Sequence, residues 1–370
     1  MKSGTLAFAL VFAVSAGAAS AQDKWVIGQS APLTGGNAQF GKDIQDGARA
    51  YFAMVNAKGG VQGKPIELVT LDDRNERKQA GANAKVLLEN KNLVALFGFA
   101  SATLSLDALP QAQANEVAFF APFSGANPVR VKNPVLFTVR ASYGEEMEKI
   151  LNFWMSLGLK RVTVVHYEDE VGKQNLDVVT QYLKKLNLAP QALPLQRNAP
   201  VGKAEVQTLV AQRPDLVLNT ALSGAAAQLQ KGLVEMGRMV PTSSLSFVGA
   251  DQFIAAAGPS AAGVSITQVV PNPNSSIPAV RECAKALQEA GIKTPMNSTQ
   301  LEACFGAKVL AEGIRRAKKP VNAKSVLEAL TNLGTYDLGG HRITFAAGAQ
   351  HGSKFVDLAM VTREGKLSSR

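Results

Sequence analysis

The sequence predicts an α/β protein built as two lobes, each with its own parallel sheet, and three observations carry that prediction. Residues 93–97 (LVALF) and 117–120 (VAFF) are unbroken apolar runs, the pattern of strands covered on both faces of a parallel sheet. Such runs alternate with helical segments of about 10–15 residues, which is the order of βαβ units. The alternation pauses near residues 135–142 and then restarts, and 370 residues are enough for two domains.

Taken in order, residues 25–27 form a short strand and 28–36 a Gly/Pro loop. The next segment is a helix with Ile44, Ala48, Tyr51, Phe52 and Val55 at helical spacing, ending at Gly59-Gly60. A strand at 65–71 and a helix at 78–89 lead into the segment 93–127. That segment holds a strand, a small-residue turn (98–102), a helix carrying Leu104, Leu106, Ala108 and Leu109, a second strand and a second turn (122–127). The second array has helices at 145–157, 173–186, 206–213 and 225–236, with strands at 161–166, 216–219, 245–248 and 264–270. Helices at 277–290, 300–317 and 323–330 follow, then strands at 342–345 and 355–362. No Pro/Ser-rich linker separates the arrays, and the crossings at 139–141 and 269–271 read as strands. A hinge of continuous strands is therefore expected, with the chain returning to the first lobe.

The N-terminus reads as a signal peptide: Lys2, an apolar stretch at 5–14, and Ala19-Ser20-Ala21 as a small-residue cleavage site after Ala21. No cysteine follows that site and no later apolar run reaches the ~18 residues of a membrane span, so an exported protein is expected. The formal net charge is +10, but lysines and arginines are spread along the chain and are not interleaved with aromatic residues. Nucleic acid is accordingly not expected as a partner. Cys283 and Cys304 lie on successive helices; an oxidising compartment makes them a disulfide candidate, while their apolar helical faces equally suit buried free thiols.

The chain lacks the nucleotide-loop, dinucleotide, nucleophile-elbow and zinc-protease motifs. His166, His341 and His351 are isolated, and the Asp72-Asp73 pair reads as a turn with ion pairs to Arg74 and Arg77. No enzyme, metal site or cofactor is expected. The two turns after 93–97 and 117–120 instead fall on one carboxyl edge of the first sheet, where backbone N–H groups face outward and ligands bind. Ser101, Thr103 and Ser124 sit there beside Gly98 and Gly125, a set of donors suited to a carboxylate. Ser101 or Thr103 also suits the N-cap of the following helix.

Several stretches carry a family resemblance: Ile27-Gly28-Gln29-Ser30-Ala31-Pro32-Leu33-Thr34-Gly35, then Asn56-Ala57-Lys58-Gly59-Gly60-Val61-Gln62-Gly63-Lys64-Pro65, then Asp72-Asp73 and Lys78-Gln79-Ala80. The chain resembles the periplasmic solute-binding proteins of branched-chain amino-acid-type ABC transporters, the Leu/Ile/Val-binding protein family. The resemblance implies a type I periplasmic binding protein fold, two Rossmann-like lobes with parallel sheets joined by a three-strand hinge. Residues 22–140 plus 271–345 would form one lobe and 141–270 plus 346–370 the other. It further implies a periplasmic monomer without cofactor that captures an amino acid or related small carboxylate and delivers it to an inner-membrane permease. Alternatives of the same fold are a ligand-reading sensory module, or a binder of aromatic acids or amides.

Carried over by position, Ser101 would hold the ligand carboxylate, and Phe123, Ser124 and Gly125 would serve both carboxylate and ammonium. Asp251 would pair with the ammonium from the second lobe. Phe40 and Leu222 would line the side-chain pocket, with Val171 and Tyr143 as further wall residues. Gly125 lacks the hydroxyl and Leu222 the aromatic ring common at those positions.

Overall fold

The computed structural model describes residues 24–369 apart from 36 and 198; the expected signal peptide at 1–21 lies outside the described residues. The first sheet gathers β1 (Trp25–Ala31), α1 (Ala38–Ala57), β2 (Ile66–Asp72), α2 (Arg77–Leu88), β3 (Leu93–Phe97), α3 (Ala102–Ser105), α4 (Leu109–Ala114), β4 (Ala118–Phe120) and β5 (Leu136–Phe137). Its strands are all parallel, in the order β2-β1-β3-β4-β5. Every residue of β3 and β4 is buried, as unbroken apolar runs require.

The second sheet begins after α5 (Tyr143–Ser156) with β6 (Val162–Tyr167). It continues through α6 (Glu170–Lys184), β7 (Gln191–Leu195), α7 (Lys203–Ala211), β8 (Leu216–Asn219), α8 (Ser223–Glu235), β9 (Thr242–Ser244), α9 (Ala250–Ala257) and β10 (Ser265–Gln268). The chain then returns: α10 (Pro278–Glu289), α11 (Ser298–Arg316) and α12 (Ala323–Thr331) share one hydrophobic core with the first sheet. After the hairpin of β11 (Gly334–Asp337) and β12 (Arg342–Phe345), strands β13 (Asp357–Val361) and β14 (Leu367–Ser369) add antiparallel to the second sheet. Its order is β14-β13-β10-β9-β8-β6-β7.

The structure departs from the sequence reading at several places, among them the unexpected elements β5, α9, β11 and β14. The strand expected at 245–248 is a 3₁₀ turn, and the strand is the polar Thr242–Ser244; buried Ser243 is satisfied by Trp154 Nε1 at 2.7 Å and by Ser265. Partners so far away in sequence are invisible to local pattern. The helix after Ser101 is split in two, because Pro110 near the start of α4 has no N–H to continue α3. Strand β7, unexpected from sequence, is a half-exposed edge strand that tolerates Pro194. The crossings at 139–141 and 269–271, expected as strands, are irregular and lie outside the ladders, with bends at Arg140, Val269 and Val270; the adjoining Thr138 forms a bridge to His351 in the returning crossing. Asp72 makes no ion pair with Arg74 or Arg77. It accepts from Leu33 N, Thr34 Oγ1 and Arg74 N at 2.6–2.9 Å, while Arg77 pairs with Asp107.

Cys283 and Cys304 are disulfide-bonded, joining α10 to α11 with Cα atoms 6.0 Å apart. At the hinge, the Arg140 guanidinium is 2% exposed and lies 3.5 Å from both Glu146 on α5 and Glu302 on α11. Glu146 also accepts from Ser246 N at 2.7 Å and Thr267 Oγ1 at 2.5 Å. One buried cation therefore ties a helix of each lobe to the crossing between them.

Candidate ligand-binding site

The carboxyl edges of the two sheets face each other across a cavity of about 130 Å³. On the first edge, β3 ends at Gly98, whose φ of +65° is left-handed and whose added Cβ would lie 2.9 Å from Gln29 Nε2. Only glycine fits there, and the turn it permits delivers Ser101. Ser101 Oγ accepts from Leu104 N at 3.2 Å, so it does cap α3. The cap uses the hydroxyl only as acceptor; its hydrogen has no acceptor among the described residues, and neither does that of Thr103.

The second turn is tied to the first by Phe123 N donating to Phe99 O at 2.8 Å. Phe123 meets Phe40 edge-on at 6.2 Å, forming one apolar wall. Ser124 Oγ donates to Tyr143 Oη at 3.2 Å and accepts from Ala126 N at 3.2 Å. Its donor is thus spent inside the protein and handed on to Tyr143, whose phenol is pushed up to about 12 by burial and stays a donor at neutral pH. Gly125 lies against the hinge: an added Cβ would sit 2.7 Å from Tyr143 N, which accounts for the missing hydroxyl by packing alone.

On the second edge, β6 ends in Tyr167, and Asp169 caps α6 by accepting from Gly172 N at 2.9 Å. Val171 and Asn175, four residues apart, present one face of α6 to the cavity. Arg197, in the loop after β7, stacks 4.1 Å over the Tyr167 ring and donates from Nε to Asp169 at 2.6 Å. Tyr167 Oη accepts from Leu222 N at 3.1 Å at the start of α8. Phe247 packs on Tyr143 at 5.0 Å.

Across the cleft, Gln252 Nε2 on α9 donates to Asp43 Oδ2 on α1 at 2.8 Å and latches the lobes, while Gln39 holds the other oxygen at 3.0 Å. A hydrogen bond to a charged group contributes roughly 1.5–3 kcal/mol. Gln252→Ala is therefore expected to raise the dissociation constant of any ligand that requires closure by about tenfold or more, read by calorimetry. An unchanged constant would remove the latch from the closing mechanism.

Of the ten residues singled out from sequence, eight line this one cavity: Phe40, Ser101, Thr103, Phe123, Ser124, Tyr143, Val171 and Leu222. Gly125 and Asp251 do not. Asp251 is exposed and does not line the cavity; its neighbour Gln252 does. Tyr167, Asn175, Arg197, Phe247 and Gln252 line it without having been anticipated. Tyr167 was legible by the same edge rule that found Ser101; Arg197, in an irregular loop, carried no signal. His166 is buried away from the cavity, with Nδ1 2.8 Å from Tyr167 O. A wider hollow of about 610 Å³ behind the hinge is lined by crossing and hairpin residues, not by either sheet edge.

Two doubly wound lobes closing on an interlobe chamber define a solute receptor of hinged, two-lobed type. The family described as periplasmic binding protein matches residues 24–366, and the chain belongs to it, a solute-binding class without catalytic activity. A relative from Brucella melitensis, named Leu/Ile/Val-binding protein homolog 7, is 26% identical over 348 residues, covering 87% of this chain and 84% of its own. A substrate-binding periplasmic protein from Ralstonia solanacearum is similar in structure with a TM-score of 0.87 and 29% identity, covering 93% of this chain and 99% of its own. A fatty acid ABC transporter substrate-binding protein from Thermomonospora curvata has a TM-score of 0.85 at 20% identity, covering 94% and 91%. Among the described residues no helix is long and apolar enough to cross a membrane, and no group of three or more His, Cys, Asp or Glu side chains clusters as a metal site.

Proposed function

We propose that the protein is the periplasmic solute-binding component of an ABC importer, capturing a small carboxylate-bearing solute between residues 22–140 plus 271–345 and residues 141–270 plus 346–370. The observation that carries this reading is the pair of free hydroxyls, Ser101 and Thr103, aimed with the Tyr143 phenol into one enclosed interlobe cavity. The first turn of α3 adds N–H groups without intrahelical acceptors. The Brucella relative and the Thermomonospora protein are named for ligands that share only a carboxylate on an apolar body, and this chain's cavity suits that common feature. Binding drives closure by the contacts made only when the lobes meet, and the closed form is what a membrane permease would read.

The test is a thermal-shift screen of amino acids and organic acids, since a ligand that binds only the folded state raises the melting temperature. For the best hit, Ser101→Ala is expected to weaken binding about tenfold or more, one charge-assisted hydrogen bond. A hit that is not a carboxylate, or one indifferent to Ser101, would end this reading.

A further inference from the structure

The charge inventory of the cavity narrows the ligand further. Among the described residues lining it, Arg197 is the one that carries a charge, and none is Asp or Glu. The nearby carboxylates do not reach it: Asp169 holds Arg197 and Gly172 N, Asp43 holds Gln39 and Gln252, and Asp251, whose carboxyl is raised by partial burial, is not among the lining residues. An α-ammonium group buried in this cavity would have no counter-charge, and an unpaired buried cation is strongly disfavoured.

The second lobe instead presents donors. Arg197 is held from two sides, by the Tyr167 ring and by Asp169, through Nε and Nη2 on a single carboxylate oxygen. Its Nη1 has no partner among the described residues, so part of the five-donor fork remains available. Asn175 is 5% exposed, faces the cavity and has no side-chain hydrogen bond among the described residues. Its amide group is therefore open to the cavity and free to bond a ligand there. Ser223, likewise unpartnered, stands at the first turn of α8 on the same wall.

Between these donors and the Ser101 edge, the walls are aromatic: Phe40, Phe123, Tyr143, Tyr167 and Phe247. Apolar space of about 150 Å³ is enough to take a benzene ring, and this cavity is close to that size, at about 130 Å³.

We propose that the cavity takes an aromatic carboxylate without an α-ammonium group, its acid at Ser101 and Thr103 and a second oxygen function across the ring read by Arg197 and Asn175. The inference rests on the solute-capture reading above and specifies its ligand class. It assigns Arg197 and Asn175 as the specificity-determining pair of the second lobe.

Calorimetry with phenylacetate, L-phenylglycine and 4-hydroxyphenylacetate tests it, because the three differ only by an added ammonium or an added hydroxyl. Phenylacetate is expected to bind at least tenfold more tightly than L-phenylglycine, and 4-hydroxyphenylacetate at least tenfold more tightly than phenylacetate. In Asn175→Ala and, separately, Arg197→Met, the ratio between the last two is expected to collapse below threefold; each variant's melting temperature reports whether it folds. L-Phenylglycine matching or exceeding phenylacetate would overturn the proposal while leaving solute capture intact. So would a hydroxyl preference that survives in both variants, or no binding of any of the three at millimolar concentration alongside a thermal shift with L-leucine. No response to any carboxylate would sink this proposal and the importer reading together.

Discussion

Replacing Arg140 with methionine is expected to lower the free energy of unfolding by about 3–5 kcal/mol near neutral pH, the usual cost of stranding a buried partner charge. Its guanidinium is the cation that both Glu146 and Glu302 face, and these side chains are 0% and 7% exposed. Because the two glutamates belong to α5 and α11, the loss should fall on the junction of the lobes as well as on each core. Burial pushes the Glu302 carboxyl up to about 7 even against the opposing pull of Arg140. A folded value raised above the unfolded one means the folded state binds the proton more readily, so this group's contribution falls as pH rises from about 4.5 through about 7. Buried Asp73, pushed up to about 6, acts with the same sign. The Arg140→Met deficit should therefore shrink on acidification to about pH 5, and Glu302→Gln should flatten part of the wild-type pH profile. Urea unfolding at the two pH values reads both effects. A neutral-pH loss under about 1 kcal/mol would show that the charges are solvated and that Arg140 does not pin the hinge.

Removing the disulfide by Cys283→Ala with Cys304→Ala is expected to destabilise the first lobe by about 3 kcal/mol, the chain-entropy scale for closing a loop of roughly twenty residues. The half-cystines are both 0% exposed and 21 residues apart, on two helices of the core that backs the first sheet. Ligand affinity should change little, because neither residue approaches the cavity. Thermal melts of the double variant against the oxidised parent check this. An equal melting temperature would mean that packing of α10 on α11 suffices alone.

The legibility of the fold came from short-range signals. An apolar run such as 93–97 reports burial on both faces whatever covers it, and alternation of such runs with helical periodicity implies a parallel sheet. The edge rule then located Ser101, Thr103 and Ser124, because the end of a parallel strand has a defined direction even before its neighbours are known. Where side chains depend on distant partners, the reading stopped. Polar β9 passed for loop because the groups that satisfy Ser243 lie on α5 and β10.

Sequence by itself determined two α/β lobes and the small, hydroxyl-bearing turns at the carboxyl edge of the first sheet, which the structure places on the cavity wall. Tertiary structure alone decided the polarity of the chamber. A helix rotates about 100° per residue, so whether Asp251 or Gln252 faces inward depends on how α9 is seated, and the answer exchanges a carboxylate for an amide. The latch it forms joins residues 209 apart, and Arg197 enters the wall only because Tyr167 and Asp169, some thirty residues earlier, hold it there. The first of these distances is set by packing of one lobe on the other and the second by packing within the second lobe, and no local pattern encodes either.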